Sequence, residues 1–235
     1  MRPEQIFKNI TDAMRFGSTI SNIIEVSNTS TIATDNIFSL ENGMLVEIGN
    51  NVYQVSNITR TAVNEWTFDV EGINIIETSW KLALYYEYGR ALEVGNTLED
   101  KKNDPLNKNK RFPLIWLLTD IEKNYDTIEK ADYQANIILG FIYISEENLK
   151  AEKRIDTYFE PILDPLVELF KNTIQNTKQR ENFAWILGEP LKIRQTDKFK
   201  YGSINGNKHI FNNITDAIEL TISLYFSRDR VNCSN

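Results

Sequence analysis

From Ile218 to Phe226 apolar and polar residues alternate, with Ile218, Leu220, Ile222, Leu224 and Phe226 on one side and Glu219, Thr221 and Ser223 on the other. A period of two predicts a strand with one buried face and one face that is wet or meets a partner. Tyr133 to Ile144 predicts a strand of another kind. Tyr133, Ala135, Ile137, Leu139, Phe141 and Tyr143 share one face, while Ile138, Ile142 and Ile144 make the other largely apolar, so cover is expected on both sides. Leu114 to Thr119 reads as a third strand, joined to the second by the polar segment EKNYDTIEK, with Pro113 at its start where no ladder N–H is needed.

Elsewhere the period is helical. Residues 3–16 place Ile6, Phe7, Ile10, Ala13 and Met14 on one face, and Gly17 ends the pattern. From about Leu149 a wide stripe runs through Ile155, Phe159, Ile162, Leu163, Leu166, Val167, Phe170 and Ile174. Pro161 and Pro165 predict a kink or a division there, with Asp164 and Pro165 as N-cap and first residue of the second part. Ser79 to Glu93 also reads as a helix, with Trp80, Leu82, Ala83, Tyr86, Ala91 and Leu92 broadly on one side and Gly95 as its cap. Tyr85, Tyr86 and Tyr88 run through it and cannot all face one core. Residues 99–111, EDKKNDPLNKNKR, read as a solvated loop.

Between Ser18 and Ile76 the pattern breaks into the short β segments TISNIIEV, MLVEI, VYQVSNI and EWTFDV. Gly49, Asn50 and Asn51 between two of them signal a tight hairpin, because these residues tolerate positive φ. The fold class expected is α+β: an N-terminal helix at 1–16, a small antiparallel β-barrel or sandwich at 17–78, and an antiparallel sheet flanked by helices at 79–235. A β module of about 60 residues is near the lower limit for a self-sufficient core and is expected to lean on its neighbours.

Charge sharpens this division. Glu25, Asp35, Glu41, Glu47, Glu65, Asp69, Glu71 and Glu77 face a single base, Arg60, between Gly17 and Ser79, so the β module carries the whole formal charge of -7. Such a segment repels phosphate and excludes nucleic-acid binding by counterion release. It suits a solvated acidic surface or one that DNA passes without sticking. Met1 is followed by a mixed amphipathic segment instead of an apolar signal core, so synthesis in a reducing cytoplasm is expected.

Candidate chemistry is sparse. The one histidine, His209, lies in the polar stretch SINGNKHIFNN, and the one cysteine, Cys233, is near the C-terminus. These two supply neither a nucleophile–base pair nor a zinc set. No phosphate-cradling glycine loop or nucleophile elbow is present. No catalytic, cofactor-binding or metal residue is therefore assigned, and the chain is expected not to be an enzyme. The alternative is a carboxylate-dependent metal hydrolase using Asp120 and Asp132, which end and begin neighbouring strands and would hold Mg²⁺ across a hairpin.

Several segments carry a resemblance when taken in order: YYEYGR at Tyr85–Arg90, FPLIWLLTD at Phe112–Asp120, ADYQANIILGF at Ala131–Phe141, YFEPILDPLVELF at Tyr158–Phe170, Tyr201-Gly202 and FNNITDAIELTISLYF at Phe211–Phe226. Residues 80–226 resemble the tail-terminator and head-to-tail connector proteins of tailed bacteriophages, especially crAss-like and Bacteroides-type phages. The resemblance implies a helix-flanked antiparallel sheet that assembles head to tail into a six- or twelve-fold ring at the virion neck or tail. It implies portal, adaptor or tail proteins above and below and DNA in the lumen, bound without sequence specificity. It carries over no catalytic residues, cofactor or membrane contact. The 17–78 module stands outside it.

Overall fold

In the computed structural model, which describes residues 3–37, 40–118, 122–125, 133–146, 148–180, 185–196 and 214–226, six strands between Gly17 and Leu82 close into a barrel. They are β1 (Gly17–Val26), β2 (Thr29–Thr34), β3 (Leu45–Ile48), β4 (Asn51–Ala62), β5 (Glu65–Glu71) and β6 (Ser79–Leu82), in the order β1-β2-β5-β4-β3-β6, with β6 returning to β1. Every pair is antiparallel. Ile48 pairs with Asn51 across the two-residue loop Gly49-Asn50, and Gly49 takes φ 61°, the positive value a tight hairpin demands at its first loop position. Ile32, Val46, Val55, Phe68, Val70, Trp80 and Leu82 fill the interior. Trp80 meets Phe68 edge-on at 5.4 Å and donates its indole N–H to Thr34 Oγ1 at 3.0 Å, so its polar tip is satisfied inside the core.

The sixth strand lies just past residue 78 and corrects the helix expected over Ser79–Glu93. Ser79, Trp80, Lys81 and Leu82 alternate exposed and buried, the strand period, and β7 (Tyr85–Gly89) follows at once. Aromatic side chains in quick succession fit a pleated surface better than a helix face. The helix begins only at α2 (Ala91–Asn103), where the Arg90 backbone N–H donates to Glu93 Oε2 at 2.9 Å, half of a capping box. Gly95 is thus inside a helix, not its cap. The first five residues of the expected 99–111 loop are the end of α2, and turns follow to Arg111.

The described residues after the barrel build a six-stranded sheet from β7, β8 (Leu114–Leu118), β9 (Glu122–Tyr125), β10 (Tyr133–Ile144), β11 (Trp185–Thr196) and β12 (Thr215–Phe226). Its order is β11-β12-β10-β8-β7, with β9 pairing to β10 beside β8. All pairs are antiparallel except β7 with β8, whose parallel register needs the crossover that α2 supplies. β10 and β12 pair without a break from Tyr133 opposite Phe226 to Ile144 opposite Thr215. β9 occupies part of the segment read from sequence as a plain connection.

Helices cover one face of this sheet. α1 (Pro3–Met14) buries Ile6, Phe7, Ile10 and Met14, whereas Ala13 faces solvent and Thr11 takes the inner place. α3 (Ala151–Arg154), a π-helix (Ile155–Leu163) and α4 (Asp164–Arg180) follow one another directly. Asp164 has helical φ −62° and ψ −47°, so it is not a cap and the chain does not divide at the prolines. The wider π turn relieves the clash of the Pro161 ring with the carbonyl four residues back. Phe170 packs edge-on to Phe141 of β10 at 5.4 Å and stacks on Phe7 of α1 at 6.2 Å. Leu163 and Leu166 are buried centrally, as the stripe predicts. On the opposite face, Val94 and Leu98 of α2 cover Leu114, Trp116 and Ile142.

Barrel and sheet share one continuous apolar core, from Phe68 and Trp80 through Leu117 and Phe141 to Phe159 and Phe170. Gly43, at φ 93°, presses against the π-helix, where a Cβ would lie 2.3 Å from Pro161 Cβ. Only glycine allows that approach.

Candidate interaction surfaces

The acidic module divides into one buried carboxylate and seven at or near the surface. Glu47 of β3 is 3% exposed. Three cations from three parts of the chain converge on it: Arg15 after α1 at 3.1 Å, Lys81 of β6 at 3.2 Å and Lys110 of the turn after α2 at 3.7 Å. Tyr85 of β7 donates its hydroxyl to Glu47 Oε2 at 3.2 Å, and the Arg15 guanidinium lies 5.5 Å from the Tyr85 ring centre. Burial first, and then the Glu47 charge, push the Tyr85 phenol well above its ordinary pKa. Lys110 also reaches Asn50 Oδ1 at 3.3 Å, so part of the 99–111 segment locks onto the barrel. Glu47 therefore belongs to the joint between barrel and sheet, which corrects its reading as part of a uniform acidic surface.

Beside this joint is a cleft of about 420 Å³ whose walls include Tyr53, Glu71, Lys108, Arg111, Phe112 and Tyr143. The Arg111 guanidinium lies 5.8 Å from the Phe112 ring centre, and partial burial lowers its pKa.

The outside of the barrel has a definite pattern. Ile24 of β1 stands opposite Thr31 of β2, which stands opposite Asp69 of β5; Val26, Thr29 and Glu71 form the next row. Ile24 and Val26 are 56% and 65% exposed and stand two residues apart on the same side of β1. Asp69 accepts from Thr31 Oγ1 at 2.6 Å and Asn57 Nδ2 at 3.0 Å, and Glu71 from Asn28 Nδ2 at 3.2 Å. This face is thus acidic on one side and apolar on the other.

The sheet offers an unlike surface. Glu219, Thr221 and Ser223 of β12 are half-buried on the face away from α1 and α4, and Ser223 Oγ donates to Asn136 Oδ1 at 2.7 Å. Among the described residues β11 pairs with β12 alone and forms an edge of the sheet. Its residues Lys192, Ile193, Arg194 and Gln195 are all exposed, with Arg194 reaching Glu219 at 3.6 Å while its side chain stays 77% exposed. The tyrosines of β7 alternate as strand residues do. Tyr85 is buried at the joint, whereas Tyr86 lies on the other face and donates its hydroxyl to the Glu4 carbonyl at 2.9 Å.

His209, Cys233, Asp120, Asp132, Tyr201 and Gly202 lie outside the described residues. Among the described residues no three His, Cys, Asp or Glu side chains gather as metal ligands, and no helix is long and apolar enough to cross a membrane. Neither the Glu47 cluster nor β11 was identified from sequence. Only the run KIRQT, with its exposed Ile193, carried any signal for the edge. No family model matches the chain, and a search of curated proteins returns no similar sequence.

Proposed function

We propose that this chain is a structural subunit of a tailed-bacteriophage virion, forming a ring at the head–tail connector, neck or tail around the DNA channel. The observation that carries the reading is the presence, among the described residues, of two unlike and uncovered surfaces, the acidic–apolar barrel face and the basic β11 edge, on one block with a shared core. A subunit that meets its neighbours through unlike patches closes into a ring or extends into a filament, not a two-fold dimer. The ordered resemblance across residues 80–226 supports the same reading and supplies the phage context. The acid-rich barrel supports a place at or near the channel, because a module with seven acids at or near the surface against the bases Arg60 and Lys81 does not retain phosphate.

Gold-labelled antibody against the full-length chain, applied to intact particles and to particles opened at the neck, tests the assignment. Label confined to the junction between head and tail, or to the tail, is the expected result. Particles that contain none of the chain by mass spectrometry overturn it.

A further inference from the structure

We infer that copies of this chain dock head to tail, with the β11 edge of one copy lying on the β1–β2–β5 outer face of the next copy's barrel. This rests on the reading of the chain as a self-assembling subunit and adds the two surfaces that meet. Among the described residues no strand lies beside the outer edge of β11, where the sheet order ends. Such an edge is a template for association unless its side chains select against it. Lys192 and Arg194 make that selection: they repel a second β11 and favour an acidic partner. Ile193 projects to the other side of the strand and is 52% exposed, so the rim of the edge also carries an apolar group.

The barrel presents the complementary set. On this face Ile24 and Val26 are exposed apolar residues, and Asp69 and Glu71 lie two strands away in the same two rows. The threonines between, Thr29 and Thr31, keep the middle of the patch small and polar. Charge at longer range favours the same pairing. Lys171 to Ile210 carries eight lysines and arginines against three acids, while Gly17 to Ser79 carries eight acids against one arginine. Fields of opposite sign on different parts of one chain orient approaching copies and speed their encounter. β11 is the sheet edge opposite β7, the strand that follows the barrel in the chain, so each copy keeps one surface free for the next neighbour. The contact is heterologous.

Sedimentation velocity on the purified full-length chain, with circular dichroism to confirm folding, reads the contact directly. Reversing the edge with K192E/R194E, or the barrel face with E65K/E71K (Glu65 is the exposed first residue of β5, on the same side of the strand as Asp69 and Glu71), is expected to weaken self-association by roughly tenfold or more. Mixing the two variants is expected to restore association, because the reversed edge of one faces the reversed barrel of the other. Exposed sites are chosen so that both variants fold. A wild-type chain that stays monomeric at low salt overturns the inference, as does self-association that neither reversal changes or that mixing does not restore. If the reversals have no effect while label still marks the neck, the docking surfaces fall and the ring-subunit reading stands. If the swap succeeds but the chain is absent from particles, the opposite holds.

Discussion

Among the described residues two carboxylates, Asp216 and Glu47, are buried among cations, and they are built in opposite ways. Asp216, at the start of β12, meets Arg154 of α3 at 2.7 and 2.9 Å, and the pair is 0% and 1% exposed. The guanidinium also donates to Ser145 Oγ at 2.8 Å, to the Leu149 carbonyl at 2.9 Å and to the Glu146 carbonyl. Among the described residues an anion meets a cation whose other N–H groups are used by three further acceptors, all within the helix-and-sheet part. Glu47 instead gathers three cations that each keep part of their side chain in water, from three separate elements. The first arrangement fixes how a helix enters against a sheet. The second fastens one module to another and leaves positive charge in excess. A tightly balanced pair is expected to ignore ionic strength, whereas the joint is expected to respond to it.

The largest effect is expected at the balanced pair. Arg154→Met leaves Asp216 buried without its cation and should cost about 3–5 kcal/mol in urea unfolding, with little change between low and high salt. Next, Glu47→Gln should cost roughly 2–3 kcal/mol, because three cations then repel one another around a neutral amide, but they remain partly solvated. That cost should change with added salt as the cations are screened. Equal salt responses at the two sites would break the comparison.

Tyr85→Phe removes one neutral donor from Glu47 and leaves the cations in place, so a loss of about 1–2 kcal/mol is expected by the same measurement. The smallest effect is at Asp164, whose carboxyl is raised by burial first and then by Glu160 and Glu168. A raised carboxyl penalises the folded state only when ionised. Asp164→Asn should therefore raise stability at pH 7 by less than about 1 kcal/mol, and the gain should fade as pH drops through the raised value toward the ordinary carboxylate pKa. A gain that persists at pH 3 would contradict a charge origin.

Sequence pattern revealed the elements with long, clear apolar runs. β12 was legible because its alternation runs far enough to fix the period and its two faces, β10 because a long run apolar on both sides marks a covered strand, and α1 because four apolar residues repeat at helical spacing. The Trp80–Tyr88 run was misread because it is apolar enough to satisfy either period, and only the closing of the barrel through β6 decides between them. β2, with the sequence TSTIAT, hides because its outward positions are threonines and an alanine. β11 hides because Gly188, Glu189 and Pro190 punctuate it, where its pairing with β12 shifts register. Glu47 looked like one acid among eight, since its cations lie 32, 34 and 63 positions away in sequence. Pairing over such distances is fixed by tertiary packing, which local period cannot encode. For the same reason the acidic face was legible as charge but not as rows shared with Ile24 and Val26.

The most direct measurement of head-to-tail assembly through unlike surfaces is electron microscopy of the purified full-length chain, at low salt and high protein concentration, with two-dimensional class averages. Closed rings of more than two copies, related by rotation about a central opening and dissolved by K192E/R194E, are the expected result. Two-fold dimers as the only assembly, or rings that K192E/R194E leaves intact, would contradict it.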